Sequence, residues 1–78
     1  MLTCTITSAK ETQEYKNIQS VTVPGISGAI QILSGHAEMF NLLNSGKVIL
    51  EYTNKNKEEK EINNAQCYIA NDKVTIIV

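Results

Sequence analysis

Arginine is absent from this chain. All seven basic side chains are lysines, set against eight acids, for a formal net charge of -1. Arginine's planar fork is the usual reader of phosphate and guanine. Without it, and with an isoelectric point near 5.7, the sequence argues against a nucleic-acid surface. Tryptophan is also absent, and histidine and proline occur once each. No apolar run approaches the ~20 residues that a membrane-spanning helix needs. The start, Met1-Leu2-Thr3-Cys4-Thr5, has neither a basic nor an apolar leader segment, so no signal peptide is expected. The two cysteines, Cys4 and Cys67, form no CxxC pair. Without an export signal their default state is reduced, the alternative being one bridge tying a strand near each terminus.

What remains is 78 residues, 42% of them apolar, which fits one globular domain over residues 1–78 and argues against disorder. A chain of this length buries only about 60% of its unfolded surface. Its core is thin, and a deep catalytic cleft is hard to build.

The apolar positions alternate with period two. Leu2, Cys4 and Ile6 interleave with Thr3, Thr5 and Thr7, a strand with one wet face. Glu14 to Val23 reads as one or two strands with Val21 and Val23 on one face, stopped by Pro24-Gly25. Gly28 to Leu33 is a short strand. His36 to Asn44 is the only stretch with helical spacing, in Met39, Leu42 and Leu43. It is too short for an isolated helix and reads as loop plus short strand. Lys47 to Thr53, Glu58 to Ile62, Gln66 to Ala70 and Val74 to Val78 follow, separated by polar turns. Many short strands at even spacing predict an all-β sandwich or barrel. The expected core is Leu2, Cys4, Ile6, Val21, Val23, Ile32, Val48, Leu50, Ile69, Val74 and Ile76, with Cys67 beside Ile69 on one inward face.

Little here carries chemistry. His36 has no partner ligands at metal spacing, and it reads as a loop histidine bracing its turn or as a contact residue. A Cys67–His36 or Cys4–His36 thiolate–imidazole pair is conceivable, but cysteines inside alternating strands behave as small hydrophobes. Glu58, Glu59 and Glu61, interleaved with Lys57 and Lys60, read as a solvated face on an exposed edge strand. The glycines Gly25, Gly28, Gly35 and Gly46 build neither a dinucleotide fingerprint nor a P-loop. Such a domain binds more often than it catalyses.

One set of residues goes further. Ser20-Val21-Thr22-Val23-Pro24-Gly25, then Gly28, then Leu33-Ser34-Gly35-His36-Ala37, then Leu43 and Gly46 resembles the N-terminal domain of the epsilon subunit family of F-type ATP synthase, with its VTLPG…G…LPGHA…L…G pattern. The end, Asp72-Lys73-Val74-Thr75-Ile76-Ile77, is similar to that family's NKVTIL. The match runs in order over nearly the whole chain. It departs from the pattern at Ser34, where proline is usual, at Ala29 for glutamate, at Gln31 for glycine, at Glu38 for proline, and at Asn64-Ala65 for a glycine pair.

The resemblance implies a flattened β-sandwich of two sheets and about ten short strands. It implies a non-catalytic central-stalk subunit of a proton-translocating F-type ATP synthase, bound to the gamma subunit and resting on the c-subunit ring. The complex would hold it at the cytoplasmic face of the bacterial inner membrane. Gly28, Ala29, Gln31, Ser34, Gly35 and His36 match the region that faces the polar loops of the ring. The family's inhibitory, sometimes ATP-binding, C-terminal helical hairpin has no counterpart before Val78, so the resemblance implies a short epsilon subunit or its N-terminal domain alone. No cofactor and no ATP binding by this chain alone are expected. The rival readings are an unrelated small β-sandwich adaptor, which would not capture a gamma subunit, and a small thiol enzyme, whose thiolate would alkylate quickly in the folded state.

Overall fold

Alternating β-branched residues turn one face of each strand inward. In the computed structural model, which describes residues 1–78, that pattern gives eight strands and no helix. They are β1 (Leu2–Thr7), β2 (Thr12–Gly25), β3 (Gly28–Leu33), β4 (Met39–Leu43), β5 (Gly46–Tyr52), β6 (Lys57–Ile62), β7 (Ala65–Ala70) and β8 (Lys73–Ile77). The count is eight, against the ten expected. One reason is that Thr12 to Gly25 stays a single strand of 14 residues.

β2 organises the molecule. Its first half pairs with β1, Tyr15 lying opposite Cys4 and Gln13 opposite Ile6. Its second half runs between β3 and β5, with Val21 opposite both Ile32 and Leu50. The register slips between Leu2 and Cys4 on β1, and between Ile18 and Ser20 on β2. Asn17 at the join has a φ of 60°, a left-handed conformation that asparagine tolerates better than most residues. Extra residues in a ladder bend the strand. β2 thereby passes from one layer to the other. One layer is β4-β7-β8-β1 with the first half of β2, and the second is β3-β2-β5-β6. β1 and β8 lie side by side in parallel, Cys4 opposite Val74, so the two chain ends share one sheet.

Pro24 and Gly25 do not stop β2 where the turn chemistry predicted. Pro24 pairs with Ala29, and Gly25 with Gly28 and with Leu43 of β4. Proline has no N–H to give, but its carbonyl accepts from Asn44 N–H at 2.8 Å. Gly25 is required by space: a Cβ there would sit 2.7 Å from the Gly28 carbonyl oxygen. The turn itself falls on Ile26 and Ser27.

Fifteen buried apolar residues form one core between the layers. Every expected core residue belongs to it except Ile6, which is half-buried. Ile6 lies near the end of β1, at an open groove it shares with Gln13, Lys60 and Val78. The core also takes Ile18, Leu43, Ile62 and Ala65. The molecule measures 28 × 25 × 19 Å. Its short dimension fits two sheets packed about 10 Å apart with side chains on their outer faces.

Candidate functional site

The six residues predicted to make a contact loop divide into two groups. Gly28, Ala29 and Gln31 belong to strand β3. Ala29 and Gln31 face outward with the half-exposed Leu33, while Ile30 and Ile32 turn toward the core. β3 pairs only with β2, so this face lies on an edge strand. Ser34, Gly35 and His36 form the turn that follows. His36 N–H donates to Leu33 O at 3.2 Å, and Gly35 has a φ of +85°, a conformation glycine adopts without strain. His36 Nδ1 donates to the Ala37 carbonyl at 2.8 Å, so the ring braces its own turn and the neutral form keeps Nε2 as its remaining acceptor.

The turn is tied to a distant part of the chain. Ser34 Oγ donates to Asp72 Oδ2 at 2.9 Å, and Gly35 N–H donates to Asp72 Oδ1 at 2.7 Å. The Met1 ammonium donates to Ser34 Oγ at 3.3 Å. The Gly35 amide, and after it the Ser34 hydroxyl, hold the Asp72 carboxyl below its ordinary value by favouring its charged form. The sequence reading placed Asp72 in a polar turn and at the start of the closing motif, and gave it no part in the loop. A bond across 38 positions leaves no local signal.

A second feature escaped the sequence reading altogether. On the outer face of β4, β7 and β8, Phe40 stands opposite Tyr68, and Leu42 stands opposite Gln66, which stands opposite Ile77. Phe40 is 57% exposed and Leu42 52% exposed, and Tyr68, Ile77, Val78 and the turn residue Ile26 are also exposed. Leu42, Ile77, Val78 and Ile26 edge a shallow groove of about 450 Å³. Tyr68 donates from its hydroxyl to Glu38 at 2.9 Å, which leaves its ring as apolar surface beside Phe40. Contiguous apolar patches on a soluble domain mark contact sites. The available signal was Met39-Phe40-Asn41-Leu42-Leu43, which puts large apolar residues on both faces of one strand.

The charge run on β6 is only partly a solvated face. Glu59 and Glu61 point out, whereas Glu58 and Lys60 are half-buried opposite Leu50 and Val48. Tyr52 donates to Glu58 at 2.7 Å, Lys60 pairs with Glu58 at 3.0 Å, and Lys60 sits 5.5 Å over the Tyr15 ring. Burial, and then the bond to Glu58, push the Tyr52 hydroxyl up to about 12. Inward charges on an edge strand discourage other chains from adding to it, so β6 is the guarded edge.

Neither thiol is placed for chemistry. Cys4 and Cys67 are free and fully buried, and burial pushes them up to about 12 and about 11. A nucleophilic cysteine needs the opposite environment. No three His, Cys, Asp or Glu side chains gather as a metal site.

Comparison with known proteins agrees with the β-sandwich fold. The family described as ATP synthase, Delta/Epsilon chain, beta-sandwich domain matches residues 1–78. The ATP synthase epsilon chain of Helicobacter pylori strain P12 is 37% identical over 60 residues, covering 77% of this chain and 48% of that one. The epsilon chain of Chlorobium limicola is 32% identical over 60 residues, covering 77% of this chain and 68% of that one. The chain thus spans about half the length of the first of these relatives. Among solved structures, one chain of the Euglena gracilis mitochondrial ATP synthase superposes with a TM-score of 0.88 at 21% identity, over 96% of this chain and 48% of that one. A chain from the Tetrahymena thermophila central stalk and c-ring superposes at 0.82 with 11% identity, over 99% of this chain and 62% of that one. At such low identity these two likenesses concern the fold alone.

Proposed function

This chain belongs to the ATP synthase delta/epsilon β-sandwich family, and from that premise we propose that it is a non-catalytic subunit of the central stalk, coupling the catalytic head to the c-ring through gamma. The observation that carries the reading is the apolar outer face of β4, β7 and β8. Phe40, Leu42, Tyr68 and Ile77 leave a flat sheet surface uncovered, which suits a lasting protein partner better than a small ligand. Gamma is the partner assigned to that face. The β3 face and the turn after it, Gly28, Ala29, Gln31, Ser34, Gly35 and His36, meet the polar loops of the c-ring.

The mechanics follow from the fold. Transmitting torque requires a body that does not shear. Two hydrogen-bonded sheets around one close-packed core supply that stiffness, and β2, shared by both layers, links them covalently. In this reading the chain sits peripherally, at the cytoplasmic face of a bacterial membrane, within a proton-translocating complex. An Ala29→Cys variant in the assembled complex should crosslink to a cysteine in the polar loop of subunit c. No crosslink there, with a control pair to gamma succeeding, would remove β3 from the ring interface.

A further inference from the structure

We infer that Asp72 is the positioning residue of the contact loop: its carboxylate fixes the backbone at Ser34 and Gly35 and so presents the turn after β3 in one conformation, beside the Gly28–Leu33 strand that the β2 ladder already holds. The inference rests on the reading that this loop meets the c-ring.

The base of the tie is rigid. Asn71 and Asp72 have φ values of 51° and 60°, the two central positions of the two-residue hairpin between β7 and β8, as a type I′ turn requires. The Asp72 carbonyl also accepts from Thr3 N–H at 3.0 Å, which docks the turn against β1. With its main chain held on both counts, the carboxylate has a fixed origin.

The loop has no ladder of its own. β3 and β4 are not paired with each other, so residues 34–38 bridge two separate layers. From Ser34 to His36, one hydrogen bond returns to Leu33 at the end of β3, and the others that leave the loop run to Asp72 and to the Met1 ammonium. The two to Asp72 are the shorter ones, and both go to a charged acceptor, the stronger kind of hydrogen bond. Each carboxylate oxygen takes one donor, one from backbone and one from side chain. That arrangement fixes the direction of the Gly35 peptide as well as its distance.

Two variants separate positioning from simple folding. Asp72→Gly removes the carboxylate and keeps a residue at ease with positive φ, so the hairpin survives. Asp72→Asn keeps oxygen and amide groups able to serve both loop partners. Amide hydrogen exchange at Gly35 in the full chain should speed up by about tenfold or more in Asp72→Gly and stay close to wild type in Asp72→Asn. In the assembled complex, with Ala29→Cys in every background, crosslinking to subunit c should fall in Asp72→Gly and recover in Asp72→Asn. Unchanged Gly35 exchange in Asp72→Gly would overturn the tie itself. Faster exchange with full crosslinking would overturn the positioning role. If Ala29→Cys fails to crosslink even with Asp72 intact, the ring-contact reading fails, and presentation by Asp72 fails with it.

Discussion

Cys4 and Cys67 show how one residue type is assigned a role by its surroundings. Both sit on inward faces of neighbouring strands around β8, Cys4 opposite Val74 and Cys67 opposite Ile76. There, burial favours the neutral thiol. Iodoacetamide at pH 8 should leave both unmodified in the folded chain and label both in urea, read by intact mass. Stoichiometric labelling without urea would show an activated thiolate. The same burial fixes a pH dependence. The folded values lie above the ordinary thiol value of 9.0, so the thiols' contribution to stability is complete below pH 9 and is lost as pH climbs toward the folded values. Asp72 is the opposite case, an exposed-side carboxyl held charged by Gly35 and Ser34. Ser34, the residue that departs from the family's proline, is the one whose hydroxyl reaches Asp72.

β2 is the element on which the layers depend, and its tightest point is Gly25. A methyl group there would meet the Gly28 carbonyl oxygen at 2.7 Å and Ile30 Cδ1 at 2.9 Å. Backbone cannot retreat cheaply, so Gly25→Ala should cost about 1–3 kcal/mol, seen as a lower urea midpoint with an unchanged slope. A midpoint equal to wild type would show that the β2–β3 turn yields freely. The strands themselves were legible because alternation is local: Leu2, Cys4, Val21, Val23, Val74 and Ile76 all turned inward as read. The length of β2 was not legible, since a bulge at Asn17 and a proline that still pairs both look like breaks in a one-dimensional pattern. Ile18 was hidden among polar neighbours, and a second strand covers it: it pairs with Leu2 and with Tyr52. β4 was read as a strand, but helical spacing would have put Met39, Leu42 and Leu43 on one face. In the strand Leu42 turns out beside Phe40, and that reversal creates the apolar face. Of the candidate site, Gly28 to His36 could be read from the motif. Its anchor at Asp72 could not, because the two are joined only by the fold.

At the scale of the whole molecule, the flattened body presents three distinct surfaces. β6 is guarded by the inward Glu58 and Lys60, the β3 edge carries the loop tied by Asp72, and the β4-β7-β8 face is left apolar. This division suits the proposed rotor part, held by two partners at once. The central claim is that the apolar face docks on gamma. The direct test is calorimetric titration of the chain with isolated gamma subunit, using wild type and the Phe40→Asp/Leu42→Asp double variant. Both substituted positions are exposed, so melting temperatures should agree closely. The account predicts saturable binding by wild type and a loss of about a hundredfold or more in affinity for the variant. Equal affinity for the two proteins, or no binding by wild type, would contradict it.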